Sequence, residues 1–409
     1  MPINRAADKN LRLIRYILPL TGLYLFTLNI PHATTIQETS FFLALILTLY
    51  SILKEKNWPH APLRLPFILW VCLGVLSLLF SADVYFSAEM IKKEILYYIL
   101  AFWLCYTVTR NQKNFLFLSG ALLASAVVII AASGYYYLIV GMDEVTIGHV
   151  GILYGQRAYY TNFILSGALL CLALVPLKNI HTSIRLFCLA LLPICMLALY
   201  FAKLRAGYLS LLLIVCAIIG TVVVRMTSYK AKIALVALIC VILFVSVFFI
   251  VDINLNSEIS LSALKRYGTE ERWAIWMHFI NTILAHPMIG AGFGIKDFVL
   301  TEFGGRELYP HNLFLSYGVM LGVPGMGVLA LLFGSIARLL LKGLSVLKHD
   351  PNGLSSVPFA GLLLLGTFFV LNLTSDVMVE HSGELFWSLM GIFIGYCARA
   401  ERKLSETPE

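Results

Sequence analysis

LFCLALLPICMLALYFA (186–202) and AGYLSLLLIVCAIIGTVVV (206–224) lie almost end to end, separated only by Lys203-Leu204-Arg205. Neither run carries a charged side chain, and each approaches the roughly 20 residues that an α-helix needs to cross hydrocarbon about 30 Å thick. A backbone in lipid must satisfy its own N–H and C=O groups, so runs of this kind are helices. The three residues between them leave space for a tight reversal at one membrane surface and nothing more.

Working outward, the same pattern recurs along the chain. Apolar spans are predicted at 13–31, 39–53, 65–81, 95–109, 115–140, 158–177, 186–202, 206–224, 233–251, 312–337, 357–375 and 384–398. The fold class expected is all-α, a polytopic integral membrane protein with about twelve transmembrane helices. Composition agrees: 60% of the 409 residues are hydrophobic and 13% are charged, half of the ~25% usual in soluble domains, with a mean hydropathy of +0.86.

The net charge of +8 does not point to nucleic acid. Lys54, Lys56, Arg64, Arg110, Lys113, Lys178, Arg185, Arg225, Arg338, Lys348 and Arg399 sit in the short connections that alternate down the chain, as cytoplasmic loops do. Arg5, Lys9, Arg12 and Arg15 precede the first span without a small-x-small cleavage site, so that span is read as an uncleaved helix. Both termini are then cytoplasmic. All eight cysteines fall in apolar spans without a C-x-x-C pair, which favours buried free thiols over disulfides or metal ligands.

Residues 1–409 are read as a single transmembrane domain with one large periplasmic loop, 252–311, inside it. In that loop Trp273, Trp276, Met277, Ile280, Ile283 and Leu284 recur at helical spacing and Pro287 ends the run, predicting an amphipathic helix on the membrane surface or packed over the bundle. The stretch His286-Pro287-Met288-Ile289-Gly290-Ala291-Gly292-Phe293-Gly294 follows no predicted strand. Its glycines suit a backbone that approaches a ligand or a helix closely.

Basic residues on the outer side run against the charge rule. Lys92 and Lys93, in the mixed stretch Tyr85 to Glu94, read as interfacial. Lys203 and Arg205 have almost no loop to solvate them; snorkelling to headgroups is the plain reading, a bound anion the functional one. Arg272 opens the amphipathic helix, with Glu270 or Glu271 as its plain salt-bridge partner. Two arginines from distant segments facing one cavity would clamp a diphosphate by bidentate hydrogen bonds. Arg157, at the outer start of the sixth span, is a third candidate contact. His311, before Asn312 at the opening of the tenth span, is either a helix-start residue or a general base. Asp376, near the outer end of the eleventh span with His381 and Glu384 close by, could orient a histidine or pair with an arginine. No D-x-D, H-E-x-x-H, P-loop or G-x-S-x-G motif stands at a plausible site, so no metal or nucleotide cofactor is expected.

Three elements occur in order: Arg205-Ala206-Gly207; Arg272-Trp273-Ala274-Ile275-Trp276 leading to His286-Pro287 and Gly290-x-Gly292-x-Gly294; and His311-Asn312. Together they resemble the O-antigen ligase and polymerase superfamily of bacterial inner-membrane glycosyltransferases, and the ligases most. The resemblance implies an enzyme that transfers polysaccharide from undecaprenyl diphosphate to lipid A–core on the periplasmic side, inverting and without metal. By position, His311 would be the catalytic base, Arg205, Arg272 and Arg157 would bind the diphosphate, and Asp376 and Lys203 would support them. The expected partners are the lipid-linked donor, the lipid A–core acceptor and membrane lipids. A polymerase of the same superfamily shares the motifs. A lipid-linked sugar transporter is less consistent with the chain, which has no half-to-half repeat and gathers its charges at one face.

Overall fold

The computed structural model describes residues 3–30, 32–56, 62–139, 157–202, 204–225, 269–294, 298–300, 306–308, 310–348 and 350–406. The predicted ninth span (233–251) and Lys203 lie outside this set. So do the side chains of Arg157 and Arg272, whose backbones are described.

Helices dominate: α1 (Ile3–Thr27), α2 (Thr34–Glu55), α3 (Arg64–Ser77), α4 (Val84–Met90), a π-helical turn (Ile91–Leu96), α5 (Tyr97–Val108), α6 (Gln112–Leu138), α7 (Arg157–Leu174), α8 (Thr182–Ala202), α9 (Arg205–Arg225), α10 (Thr269–Ala285), α11 (Leu313–Leu347), α12 (Ser356–Thr374) and α13 (Glu380–Glu406). One departure from the all-α expectation is a short antiparallel hairpin, β1 (Phe298–Leu300) with β2 (Arg306–Leu308), paired from Phe298–Leu308 to Leu300–Arg306.

Among the described residues, five helices are long and apolar enough to cross a membrane: 34–54, 112–136, 182–202, 313–347 and 356–373. The flanks confirm that the solvent is lipid. Ile46 (58% exposed), Leu53 (61%), Leu197 (57%) and Leu341 (55%) stand outward along their helices, where a bundle in water would hold polar residues. The chain is a helical membrane protein. Of the cysteines, Cys105, Cys171, Cys188, Cys195 and Cys397 are buried and free; Cys72 and Cys216 are free but exposed, a correction to the expectation of burial. Cys240 lies outside the described residues.

Small residues let the helices approach. Along α13, a Cβ on Gly391 or Gly395 would run into the α5 backbone at Phe102 or Tyr106, the close packing that small-x-x-x-small spacing permits where no hydrophobic effect drives association.

The largest correction concerns the tenth span. It is predicted as one continuous helix over 312–337, but α11 breaks at Gly322, whose φ is 70° and ψ −168°. Pro324 follows and has no N–H to offer. Phe314 and Phe333 would stand about 28 Å apart on a straight helix, yet their ring centroids are 6.3 Å apart, and Phe314 also meets Phe369 of α12 at 5.6 Å. The half 313–321 therefore folds back along the half 323–347. The second half alone, about 37 Å long, is enough to cross a bilayer.

A break in a membrane helix orphans backbone groups, and the glycine-rich stretch supplies partners. Ala291 N–H donates to Val319 O (2.8 Å), Gly292 N–H to Met320 O (3.2 Å), and Val323 N–H to Pro287 O (2.8 Å). Gly294 N–H reaches the Met320 sulfur at 3.0 Å, and Phe293 N–H donates to Ser77 Oγ at 3.1 Å. A Cβ on Gly290 would collide with the Val319 and Met320 backbone, and one on Gly322 with that of Pro287. These glycines approach a helix.

Gly290→Ala and Gly322→Ala are expected to lower the thermal midpoint in detergent sharply, since both lose space and the second also forces a left-handed backbone on an L residue. Gly327→Ala, in the same helix with open space around it, is expected to hold or gain up to about 1 kcal/mol. Equal melting of all three variants would contradict the spliced helix.

Candidate functional site

The turn that separates the two opening runs is held by packing. Gly207 N–H closes it onto Leu204 O at 2.9 Å, Ala206 is buried, and a Cβ on Gly207 would stand 2.7 Å from Thr161 Cγ2 of α7. Thr161 is one turn into α7, which begins at Arg157, so the helix starts bearing Arg157 and Arg205 are neighbours. Arg205 itself is exposed. Further along, Ser210 Oγ donates to Thr367 O of α12 at 3.4 Å, which brings the head of α9 level with the last turn of α12.

The tenth span's opening comes to the same place. Asn312 caps the half-helix 313–321, its Oδ1 accepting from Phe314 N (3.0 Å) and Leu315 N (3.2 Å). Its Nδ2 donates to Leu373 O, again in the last turn of α12, at 3.2 Å. His311, just before the cap, is partly buried with φ at 50°. A left-handed backbone at a residue with a Cβ costs about 1–2 kcal/mol and persists only where surroundings impose it, commonly at functional sites.

Helix α10 lies beside this half-helix and runs the same way. Trp276 Nε1–H donates to Pro310 O at 2.9 Å, and Ile275, Phe279 and Ile283 pack on Val319. Arg272 is one helical turn before Trp276, so its backbone lies near the Pro310–His311 corner. The predicted amphipathic helix is present, but its buried stripe is corrected. Ile275, Phe279 and Ile283 face the bundle, whereas Trp273 (62%) and Leu284 (67%) are exposed.

The helix starts of α7, α9 and α10 and the half-helix 313–321 thus gather around the C-terminal end of α12. Helix N-termini carry partial positive charge and unpaired N–H groups, a natural seat for an anion. An arginine in a first turn opposes the dipole by roughly 0.3–1 kcal/mol. Arg157, Arg205 and Arg272 all occupy such positions, an arrangement that a bound polyanion offsets.

Below these starts lies a buried polar layer. Asp376 is 7% exposed, and the turn carrying it is set by Val377 N–H donating to Asn372 Oδ1 at 2.9 Å. Glu94 is 3% exposed within the π-helical turn. The Tyr98 and Tyr317 hydroxyls are within electrostatic reach of both carboxyls. Gln37 Nε2 donates to Glu384 Oε2 at 2.9 Å and meets His381 Nδ1 at 3.3 Å, and Asn162 Nδ2 donates to Ser382 Oγ at 2.8 Å. The reading of Tyr85 to Glu94 as merely interfacial missed Glu94. An acid directly ahead of the apolar run Ile95–Val108 was the available signal, and π-helical turns are frequent at functional sites.

Together these features define a helical membrane protein in which several helix starts gather at one end of α12, near buried carboxyls and a histidine with a left-handed backbone. Residues 188–332 match the family model described as O-antigen ligase, a match that supports membership of the superfamily of O-antigen ligases and polymerases. The matched stretch contains Arg205, Arg272 and His311 and leaves Arg157 and Asp376 outside it. No curated protein matches the chain.

His311→Gly and His311→Ala both remove the imidazole, but only glycine adopts a positive φ without cost. His311→Gly is expected to be more stable than His311→Ala by about 1 kcal/mol, measured as the difference in thermal midpoint in detergent. Alanine equal to glycine would mean that the backbone there is not strained.

Proposed function

We propose that the chain is an O-antigen ligase of the bacterial inner membrane, crossing it about twelve times with both termini in the cytoplasm and its site on the periplasmic side. The donor is a polysaccharide on undecaprenyl diphosphate and the acceptor a hydroxyl of lipid A–core. The observation that carries this reading is the gathering of arginine-bearing helix starts around His311.

In this reading the acceptor hydroxyl attacks the anomeric carbon in line as the bond from that carbon to the phosphate oxygen breaks. His311 accepts the hydroxyl proton. The leaving undecaprenyl diphosphate carries the displaced electron pair, and its charge is met by Arg205, Arg272 and Arg157 with the helix N–H groups. A single displacement inverts the anomeric centre. No step calls for a metal or nucleotide. In this reading Asp376 and Lys203 have supporting roles.

Transfer measured in proteoliposomes with purified lipid-linked donor and lipid A–core tests the roles. His311→Ala is expected to lower turnover by about 10²–10⁴-fold with donor binding kept. Arg205→Ala and Arg272→Ala are expected to lose donor binding, and lysine at either position should restore little, because an ammonium cannot form the bidentate fork. Loss of donor affinity in proportion to rate in His311→Ala would remove the histidine from the role of base. A deletion strain separates the two activities of the superfamily: accumulated long lipid-linked chains support a ligase, and single repeat units overturn that in favour of a polymerase.

A further inference from the structure

The outermost part of the described structure is apolar where a loop bathed in water would be polar. Leu79 (75% exposed) and Phe80 (54%) follow α3, and Tyr85 (82%) opens α4. Leu284 (67%) and Met288 (70%) stand in the turn after α10. Two backbone contacts join these segments into one surface. Ala82 N–H donates to Ala291 O at 3.3 Å, and Gly292 lies so close to Ser81 that a Cβ would fall 2.6 Å from the Ser81 Cβ.

We propose that this surface is a foot seated in the outer leaflet of the phospholipid membrane, so that the 284–291 turn and α4 are interfacial elements instead of parts of an aqueous loop. Two features select lipid over a protein partner. The patch continues the lipid-facing row of α3, since Val75 (51%), Leu76 (53%) and Leu79 share its flank. Its rim also carries Lys92 and Lys93, both exposed on the π-helical turn after α4, as cations stand at headgroup level around an apolar face. Lys93 pairs with Glu89 at 2.7 Å, and that lysine holds the Glu89 carboxyl below the usual carboxylate range.

The seat sets the height of the site. The 287–292 segment of the foot is hydrogen-bonded to the break in α11, and the half-helix 313–321 runs back from that break to Asn312 and His311. With the foot at headgroup level, the arginine-bearing helix starts lie at or beneath that plane. There a phosphate on a membrane-embedded lipid reaches them and a soluble sugar phosphate does not. This last step rests on the reading of the site as a lipid-diphosphate site; the seating itself does not.

The test uses the full chain in phospholipid vesicles, with an environment-sensitive fluorophore placed through Met288→Cys or Tyr85→Cys after Cys72 and Cys216 are changed to Ser. Both labels are expected to emit as in an apolar medium. Lipids brominated near the headgroup should quench them more than lipids brominated near the chain ends, consistent with immersion about 5–10 Å into the interface. Water-like emission quenched by iodide, at both positions, would overturn the proposal, as would an apolar signal that arises only when another protein is added. Because the readout needs no transfer, a seated foot in a protein with no ligase activity would count against the function and not against the seat.

Discussion

The placement of His311 hangs on backbone hydrogen bonds that no helix supplies. At Gly322 and Pro324 α11 loses its internal ladder, and in lipid an unpaired amide or carbonyl costs several kcal/mol. The 287–292 segment meets that demand by donating from Ala291 and Gly292 and accepting from Val323. Once the break is satisfied, the half-helix 313–321 can fold back on 323–347 and carry Asn312 and His311 to the end of α12. A continuous helix would instead leave them at its far tip, away from α9 and α7. Non-helical backbone at depth is tolerated in membrane proteins where protein surrounds it, and here it is what builds the site.

The electrostatics follow from that placement. Four helix starts brought to one place sum their partial positive charges, and three of them add an arginine. Positive charge gathered in this way favours a polyanion, which is the basis on which a diphosphate is proposed as the ligand. Glu94 and Asp376 are within reach of the Tyr98 and Tyr317 hydroxyls, and the Gln37–Glu384 hydrogen bond ties α2 to the first turn of α13. The acid layer is thus bound to the same helices that the small residues of α13 draw together.

Some of this was legible in the chain itself. The apolar runs announce helices because their length and lack of charge match hydrocarbon, a constraint that acts on each segment separately. Arg205 stood out because a three-residue turn cannot solvate it, and His311 as a histidine at a helix start; the cap itself proves to be its neighbour Asn312. The glycines of 290–294 pointed to close backbone approach, which is how they are used.

Sequence alone determined that the protein is a helical membrane protein, which basic residues have almost no loop to solvate them, and which motifs carry the family resemblance. Only the tertiary structure decided where those motifs meet. Apolar periodicity cannot tell a helix that crosses from one that folds back, because both faces of a membrane helix are apolar and the 313–337 run reads as continuous through Gly322. It likewise could not tell which stripe of α10 is buried, since Trp273 and Leu284 are as apolar as Ile275 and Phe279. Nor could it reveal that Glu94 is interior, because burial of a charge depends on partners contributed by distant helices. Local patterns record what each segment must satisfy by itself; the helix starts meet because the orphaned groups of one segment are satisfied by another.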